Sequence, residues 1–252
     1  MAFTLSHAVL APYLARLFTA PTPIASLAIG CMAPDLYRFF TTQNYLLPHQ
    51  WQGIFSFTLW LGLGFCLLWY LVYRPVLYSL LGISDPILFN KTKDYIKFIL
   101  KIIVGLILGI TTHLLWDGLT HVDFRTLILH DVLSQQFNVF GQVYPLHRIL
   151  QIGSSALTMP WLIWLLYEYF YQHKFKPINY LNLYCCAVVC LVGGCLKLML
   201  YLHHLSEATR ALGLYYLTGS CINHFFQGLL LSLFLFCIVF LLMGQRHQTT
   251  SK

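Results

Sequence analysis

The sequence predicts an all-α protein, a polytopic helical bundle embedded in a membrane. Its 252 residues are 58% hydrophobic and only 9% charged, whereas about 25% of residues are charged in soluble globular domains. Apolar segments of about 17 to 25 residues, a length that crosses a bilayer, recur along the chain. Because a helix satisfies its own backbone hydrogen bonds in lipid, we expect each segment to be helical. Neither a repeat nor a linker divides the chain, which predicts a single integral membrane domain over residues 1–252.

The apolar segments are of two kinds. Two short N-terminal segments, 6–18 and 24–33, are followed by prolines, which favours interfacial or half-spanning helices over full spans. The longer segments are the predicted transmembrane helices, at residues 55–73, 97–116, 155–172, 183–203 and 225–243.

Lysines and arginines are spread unevenly over the connections between these five spans. One side has nine of them: Arg74, Lys91, Lys93, Lys97, Lys101, Lys174, Lys176, Arg246 and Lys252. The other side has five, on longer connections: Arg16, Arg38, Arg125, Arg148 and Arg210. The positive-inside bias predicts that the first side is cytoplasmic, so that the N-terminus lies outside and the C-terminus inside. No single basic face is formed, so nucleic acid is not an expected partner.

The metal-ligand side chains fall mainly on the predicted outer face. The histidines there are His7, His49, His113, His121, His130, His147, His203, His204 and His224. The carboxylates there are Asp35, Asp117, Asp123, Asp131 and Glu207. The eight cysteines, by contrast, lie mostly inside apolar runs without a CxxC motif, so neither a disulfide framework nor a thiolate zinc site is indicated.

The stretch THLLWDGLTH, residues 112–121, ends the second predicted span with three polar side chains. His113, Asp117 and His121 are four residues apart and share one face if the helix continues that far. Two explanations are open: the residues cap the helix and face lipid headgroups, or they bind a divalent cation that compensates their burial.

Two further motifs favour the cation. MAPDLYRF places Asp35 at the end of an apolar stretch, and LLPHQWQG supplies His49 on the same predicted face. Together with His113 and Asp117 they make four ligands of the type that zinc prefers. His7, in FTLSHAVLAP, is either a further ligand or a histidine of the core or the membrane interface.

The order FTLSH, MAPD, a histidine fourteen residues beyond the aspartate, and HLLWD resembles that of bacterial membrane-bound metal-dependent hydrolases and of a similar membrane family of unknown function. Both are distantly similar to zinc-dependent phospholipase C. The resemblance covers about residues 3–155; the helices in 155–243 are additional.

The resemblance implies roles for individual residues. Asp35, His49, His113 and Asp117 match the ligands of a first metal, and Asp35 also matches the catalytic base for the attacking water. His7 and Asp117 match part of a second metal site, which Asp117 bridges.

Two more histidines match the phospholipase pattern in order. His121 corresponds to one ligand, and His147 in YPLHRILQ corresponds to the histidine of an HxxxE pair. Gln151 stands where that pair has its glutamate, so one or two metal ions are expected instead of three.

The sequence therefore predicts a metal-dependent hydrolase, with zinc as the expected ion, in the bacterial cytoplasmic membrane. Its expected partners are membrane lipid and a lipid or small-molecule phosphoester. Two alternatives stay open: a haem-binding electron carrier, with His113 and either His203 or His204 as iron ligands, and a non-catalytic transporter or scaffold. His203 and Glu207 form an HxxxE that is either an interfacial cap or an extra ligand pair.

Overall fold

The computed structural model confirms the all-α class. It describes residues 4–17, 23–41, 46–84, 86–87, 91–211 and 213–249. The α-helices are α1 Ala11–Arg16, α2 Ile24–Leu36, α3 Leu59–Leu68, α4 Arg74–Leu81, α5 Thr92–Thr120, α6 His130–Leu133, α7 Leu146–His173, α8 Tyr180–His203, α9 Glu207–Ala211 and α10 Leu214–Thr249. The 3₁₀-helices are Thr4–Leu10, Tyr37–Phe39 and Leu47–His49, and the π-helical segments are Ile54–Thr58 and Trp69–Tyr73.

Five helical stretches of the described chain are long and apolar enough to cross a membrane, as predicted: Ile54–Leu81, Thr92–Thr120, Leu146–His173, Tyr180–His203 and Tyr216–Gly244. Each is longer than the predicted segment, because hydropathy marks only the apolar part of a helix that continues into polar turns. In α5, for example, the first turn begins beside Lys91, whose backbone N–H donates to the Asp94 carboxylate at 3.0 Å.

The N-terminal segments form shorter helices, also as predicted. The predicted segment 6–18 corresponds to the 3₁₀-helix Thr4–Leu10 followed by α1, and its last residue, 18, lies outside the described residues. The expected end of the second segment at residue 33 is wrong, because α2 continues through Pro34 to Leu36. A proline in the last turn removes only one backbone donor, so it does not stop the helix there.

The chain divides into two compact units. Residues 1–66 and 87–169 make up unit 1, and residues 67–86 and 170–252 make up unit 2. The single domain inferred from the sequence stays a prediction.

Unit 1 includes a β-hairpin that the sequence interpretation did not anticipate. Strand β1 Gln136–Val139 pairs antiparallel with β2 Gln142–Pro145. Phe140 and Gly141 form the turn with positive φ angles of 52° and 80°, the backbone that a two-residue hairpin turn requires. The hairpin leads directly into α7.

Close packing of α2 against α5 is the feature of unit 1 that positions the site. Gly30 of α2 and Gly105 and Gly109 of α5 lie at the contact. A Cβ atom on Gly30 would lie 2.6 Å from the Leu106 carbonyl oxygen, and one on Gly109 would lie 2.4 Å from the Leu27 carbonyl oxygen. Only glycine therefore allows the two backbones to approach this closely, a common device between membrane helices.

Unit 2 has a similar contact between α8 and α10. A Cβ atom on Gly228 would lie 2.3 Å from the carbonyl oxygen of Gly193. Its core is apolar and contains Val76, Leu80, Cys186, Cys190 and Cys237. All eight cysteines of the protein are free thiols, in agreement with the sequence prediction.

Candidate metal centre

The C-terminal ends of α2 and α5 carry the central side chains of the site. Asp35 lies in the last turn of α2, while His113 and Asp117 lie in the last two turns of α5. His7 comes from the N-terminal 3₁₀-helix, and His49 ends the short 3₁₀-helix that precedes the first span. The side chain of Asp35 is 12% exposed, and the other four residues are between 1% and 7% exposed. Five of the seven predicted metal ligands thus come together in a buried cluster.

The ring nitrogens and carboxylate oxygens of this cluster are close together. Nε2 of His49 lies 3.3 Å from Oδ1 of Asp35 and 3.7 Å from Oδ2 of Asp117. Nε2 of His113 lies 3.5 Å from the same Asp117 oxygen. Tetrahedral zinc with bonds of about 2.0–2.2 Å separates neighbouring ligand atoms by about 3.3–3.6 Å. The spacing therefore fits a shared metal ion.

Two buried nitrogen atoms support this fit. Nδ1 of His113 lies 2.7 Å from the Cys31 carbonyl oxygen, to which it donates, so Nε2 carries the lone pair in the neutral ring. That Nε2 and Nε2 of His49 are both buried without a hydrogen-bond partner in the described part of the chain. Buried polar atoms nearly always have a partner, and a backbone acceptor on the far ring nitrogen is the usual arrangement of a metal-binding histidine.

His7 is the third histidine of the cluster. Its ring stacks on that of His113, with ring centroids 4.2 Å apart. Ligand atoms of His7, His113 and Asp117 all lie within 4.8 Å of one another, as do those of Asp35, His49 and His113. Burial and the electrostatic repulsion from His113 lower the pKa of His7 to about 3. Its ring is therefore neutral at pH 7 and able to bind a metal.

His121 is in contact with the cluster without belonging to either group. Its Nδ1 lies 3.5 Å from Oδ1 of Asp117, but also 3.2 Å from the Asp117 carbonyl oxygen and 3.3 Å from the Thr120 hydroxyl. Burial lowers the pKa of His121 to about 4 despite the nearby Asp117 carboxylate. Its role as a ligand stays a prediction.

His147 and Gln151 contact backbone carbonyl oxygens, and the role of His147 as a ligand stays a prediction. Nδ1 of His147 lies 3.2 Å from the Leu133 carbonyl oxygen, and His147 is in neither ligand group of the described residues. The buried Gln151 amide donates to the Thr120 carbonyl oxygen at 2.6 Å. A glutamate at this position has no proton to donate when ionised, so the departure from HxxxE has a structural reason.

Two arginines at the cluster were not among the predicted site residues. Nη1 of Arg125 donates to Oδ2 of Asp117 at 3.0 Å, and its Nε donates to Asp123 at 2.9 Å. Nε of Arg38 lies 3.6 Å from Oδ1 of Asp35. The spacing of Asp35 and Arg38, three residues apart on a helix, is a signal that identifies the first pair. The contact between Arg125 and Asp117 depends on a loop that folds back onto α5, and no local spacing in the sequence indicates such a fold.

Arg38 and His49 also set the charge state of Asp35. Burial alone would raise the pKa of Asp35, but Arg38 and His49 hold it well below its usual range. The Thr4 hydroxyl donates to Oδ2 of the same carboxylate at 2.9 Å. Asp35 is therefore ionised at neutral pH, as both a metal ligand and a proton acceptor must be.

The fold and the site together define a class: a multi-pass α-helical membrane protein with a buried histidine and aspartate cluster that can hold a metal ion. Residues 1–241 match the family described as a domain of unknown function (DUF4184), and the chain belongs to that family. No curated protein and no solved structure matches the chain significantly. The hydrolase relationship inferred from the motifs stays a prediction.

Proposed function

We propose that the protein is a membrane-bound metal-dependent hydrolase that cleaves a phosphoester or a lipid headgroup. The observation that carries the proposal is the pair of buried Nε2 atoms of His49 and His113, which make no well-aligned hydrogen bond in the described part of the chain although they face Asp35 and Asp117 at 3.3–3.7 Å. Burying such groups without a partner costs several kcal/mol. A resident cation removes that cost.

Zinc is the expected ion, and one ion fits best. Nitrogen and oxygen ligands in a compact, four-membered set are typical of zinc. Because Nδ1 of His113 is engaged by the Cys31 carbonyl oxygen, the ring offers a single ligand atom. Both ligand groups include His113, so they describe two possible ligand sets around one ion more readily than two complete sites.

The chemistry divides between the ion and the surrounding side chains. A bound zinc ion lowers the pKa of water toward about 7 and polarises a phosphoryl oxygen. Asp35 accepts a proton at Oδ2, where the Thr4 hydroxyl fixes its orientation. Arg38 and Arg125, which reach the cluster from two different elements, orient and neutralise an anionic phosphate group.

The depth of the site supports a substrate in the membrane surface. His113 and Asp117 lie in the last two turns of the span Thr92–Thr120, at the end opposite to the lysines that begin it. The positive-inside bias assigns that end to the non-cytoplasmic face. A headgroup phosphoester lies at this depth, and we propose the bacterial inner membrane on the basis of the motif resemblance.

The alternatives fit the observed contacts less well. An iron-ligating His113 would have to present Nε2 to a porphyrin, but that atom faces Asp117 at 3.5 Å and the ring is covered by His7. His203 and His204, the other candidates for iron, are exposed. A scaffold or transporter has no need for three buried histidines and two buried carboxylates gathered at ligand distances.

Elemental analysis of the purified, detergent-solubilised protein tests the proposal. We expect about one zinc per chain, and loss of that zinc in Asp117→Ala. Asp131→Ala is the matched control, since the Asp131 side chain is fully exposed, and it should keep the metal. Zinc retained in Asp117→Ala would overturn the site. A parent protein that binds metal but cleaves no phosphodiester, phospholipid or amide with any divalent ion would overturn the hydrolase.

A further inference from the structure

An aromatic groove in unit 1 lies next to the candidate metal centre. Its volume is about 440 Å³, and it is lined by Tyr37, Phe40, Thr41, Phe57 and Leu61. This volume is within the range of small-molecule sites, about 300–1,000 Å³. Three of the five lining residues are aromatic, so the groove suits an apolar ligand.

Both walls of the groove are tied to the segment that carries His49. The Tyr37 ring meets the His49 ring edge-on, with centroids 6.2 Å apart. On the opposite wall, Thr58, the neighbour of Phe57, donates from its hydroxyl to the Pro48 carbonyl oxygen at 3.3 Å. The groove and the metal cluster are thus adjacent parts of the same unit.

The groove lies at the same end of its span as the metal cluster. Phe57 and Leu61 are in the first turns of the span Ile54–Leu81, and Asp117 is in the last turns of the next span, Thr92–Thr120. Successive spans run in opposite directions, so the start of one and the end of the next are at the same face. Phe40, one of the lining residues, is 73% exposed, so the groove is open to its surroundings.

We infer that the groove binds an acyl chain of a phospholipid whose phosphate group lies beside the metal cluster. This inference rests on the proposed function and specifies its substrate class. The Arg38 guanidinium lies 5.7 Å from the centroid of the Tyr37 ring, which lines the groove, and its Nε lies 3.6 Å from Oδ1 of Asp35 in the cluster. One cationic group is thus near both the apolar groove and the metal cluster, as the phosphate of a phospholipid is near both its acyl chains and its headgroup. The substrate enters sideways from the bilayer.

A tryptophan substitution in the groove tests the inference by turnover. Phe57→Trp places a larger ring among the groove residues, while Phe55→Trp makes the same change at a 63% exposed position of the same π-helical segment. We expect Phe57→Trp to lower kcat/KM for dioleoyl phospholipid in mixed micelles by about tenfold or more, because several methylene groups lose their contacts. Its zinc content and its hydrolysis of soluble bis(p-nitrophenyl) phosphate should be unchanged. Phe55→Trp should change none of these quantities. Equal losses on both substrates in Phe57→Trp, or no loss on either, would overturn the inference.

Photo-crosslinking separates this inference from the proposed function. A phospholipid with a diazirine in the middle of one acyl chain is incorporated into the micelles, and labelled peptides are mapped by mass spectrometry. We expect labels at Phe57 and Leu61 in the parent and in Asp117→Ala, since chain binding does not need the metal. Labels confined to other positions would overturn the groove whatever the turnover. If the parent protein is labelled at the groove but cleaves neither substrate, the proposed hydrolase function is overturned and the lipid-binding groove is retained.

Discussion

Two pairs of helices are packed closely through glycine: α2 with α5 in unit 1, and α8 with α10 in unit 2. The packing is of the same type, but the two pairs have different surroundings. In the first pair an added Cβ at Gly109 would meet the Leu27 carbonyl oxygen at 2.4 Å. In the second, a Cβ at Gly228 would meet the Gly193 carbonyl oxygen at 2.3 Å. The backbones approach equally closely in both pairs. Close packing of membrane helices therefore does not by itself require the polar cluster.

The two pairs differ in what surrounds them. The first pair ends in a buried group of two carboxylates and three histidines, whereas the core beside the second contains aliphatic residues and three cysteine thiols. Ionisable groups buried within a membrane protein are costly and are a mark of function. The buried histidine and aspartate cluster of unit 1 is thus a mark of function that helix packing does not require.

The largest expected contrast between the units is in metal binding. His113→Gln replaces a candidate ligand of unit 1, and His224→Gln makes the same type of substitution at a histidine of unit 2 that is not a candidate ligand. Nδ1 of His224 is also buried without a hydrogen-bond partner in the described residues, but the ring stacks on Tyr201 and is in neither ligand group. We expect zinc affinity to fall about a hundredfold or more in His113→Gln, since about 10–16 kcal/mol of zinc binding is shared among roughly four ligands. In His224→Gln it should stay within about twofold.

Chelator competition with detergent-solubilised protein measures both affinities. A similar loss in the two variants would mean that neither unit has a specific site. Unchanged zinc affinity in His113→Gln would contradict the prediction that the metal site lies in unit 1.

The next contrast separates packing from metal binding. Gly109→Ala and Gly228→Ala each force a methyl group against a backbone carbonyl oxygen, so each should lower the free energy of unfolding by about 1–3 kcal/mol. Only Gly109→Ala should also weaken zinc binding, because it shifts α5 relative to Asp35 of α2. Gly153→Ala is the control, since an added Cβ there has no atom within 4 Å and alanine favours the helix.

Denaturation by sodium dodecyl sulfate in mixed micelles gives the unfolding free energies, and zinc titration gives the second readout. Zinc binding that weakens as much in Gly228→Ala as in Gly109→Ala would contradict the assignment of the metal to unit 1.

A smaller loss of stability is expected at Gln151, a buried polar residue of unit 1 whose role is structural. Gln151→Glu removes the proton that the amide donates to the Thr120 carbonyl oxygen, and it should lower the unfolding free energy by about 1–2 kcal/mol. We expect zinc stoichiometry to stay the same, because Gln151 contacts the Thr120 backbone and is in neither ligand group of the described residues. Gln142→Glu, at an exposed position of β2, should be neutral. A second zinc ion gained in Gln151→Glu would show that the HxxxE pattern can be restored.

The spans and the proximity of His113 to Asp117 were predictable for a physical reason: both depend on local sequence. Hydropathy over one helix length identifies a span, and His113 and Asp117 share a helix face because they are four residues apart. Motif order and the cost of a carboxylate in an apolar stretch brought Asp35 and His49 into the predicted set, and their role as ligands stays a prediction.

What escaped prediction depends on contacts between distant segments. Arg125 reaches Asp117 only because its loop turns back, with the Leu127 N–H donating to the Gly118 carbonyl oxygen at 3.0 Å. The Thr4 contact with Asp35 likewise joins residues 31 positions apart. The hairpin strands are four residues each and largely polar, too short for a periodic signal.

The smallest expected effect compares two cysteines that are both fully buried, Cys31 in unit 1 and Cys237 in unit 2. Each change to alanine removes one sulfur atom and should lower the unfolding free energy by about 1 kcal/mol. Zinc affinity should be unchanged in Cys31→Ala as well as in Cys237→Ala, because His113 is held by the backbone carbonyl group of Cys31 and not by its thiol. The Cys31 thiol instead lies 3.4 Å from the Thr112 hydroxyl. Loss of zinc in Cys31→Ala but not in Cys237→Ala would show that the Cys31 thiol is a ligand, and the predicted ligand set would then have to include sulfur.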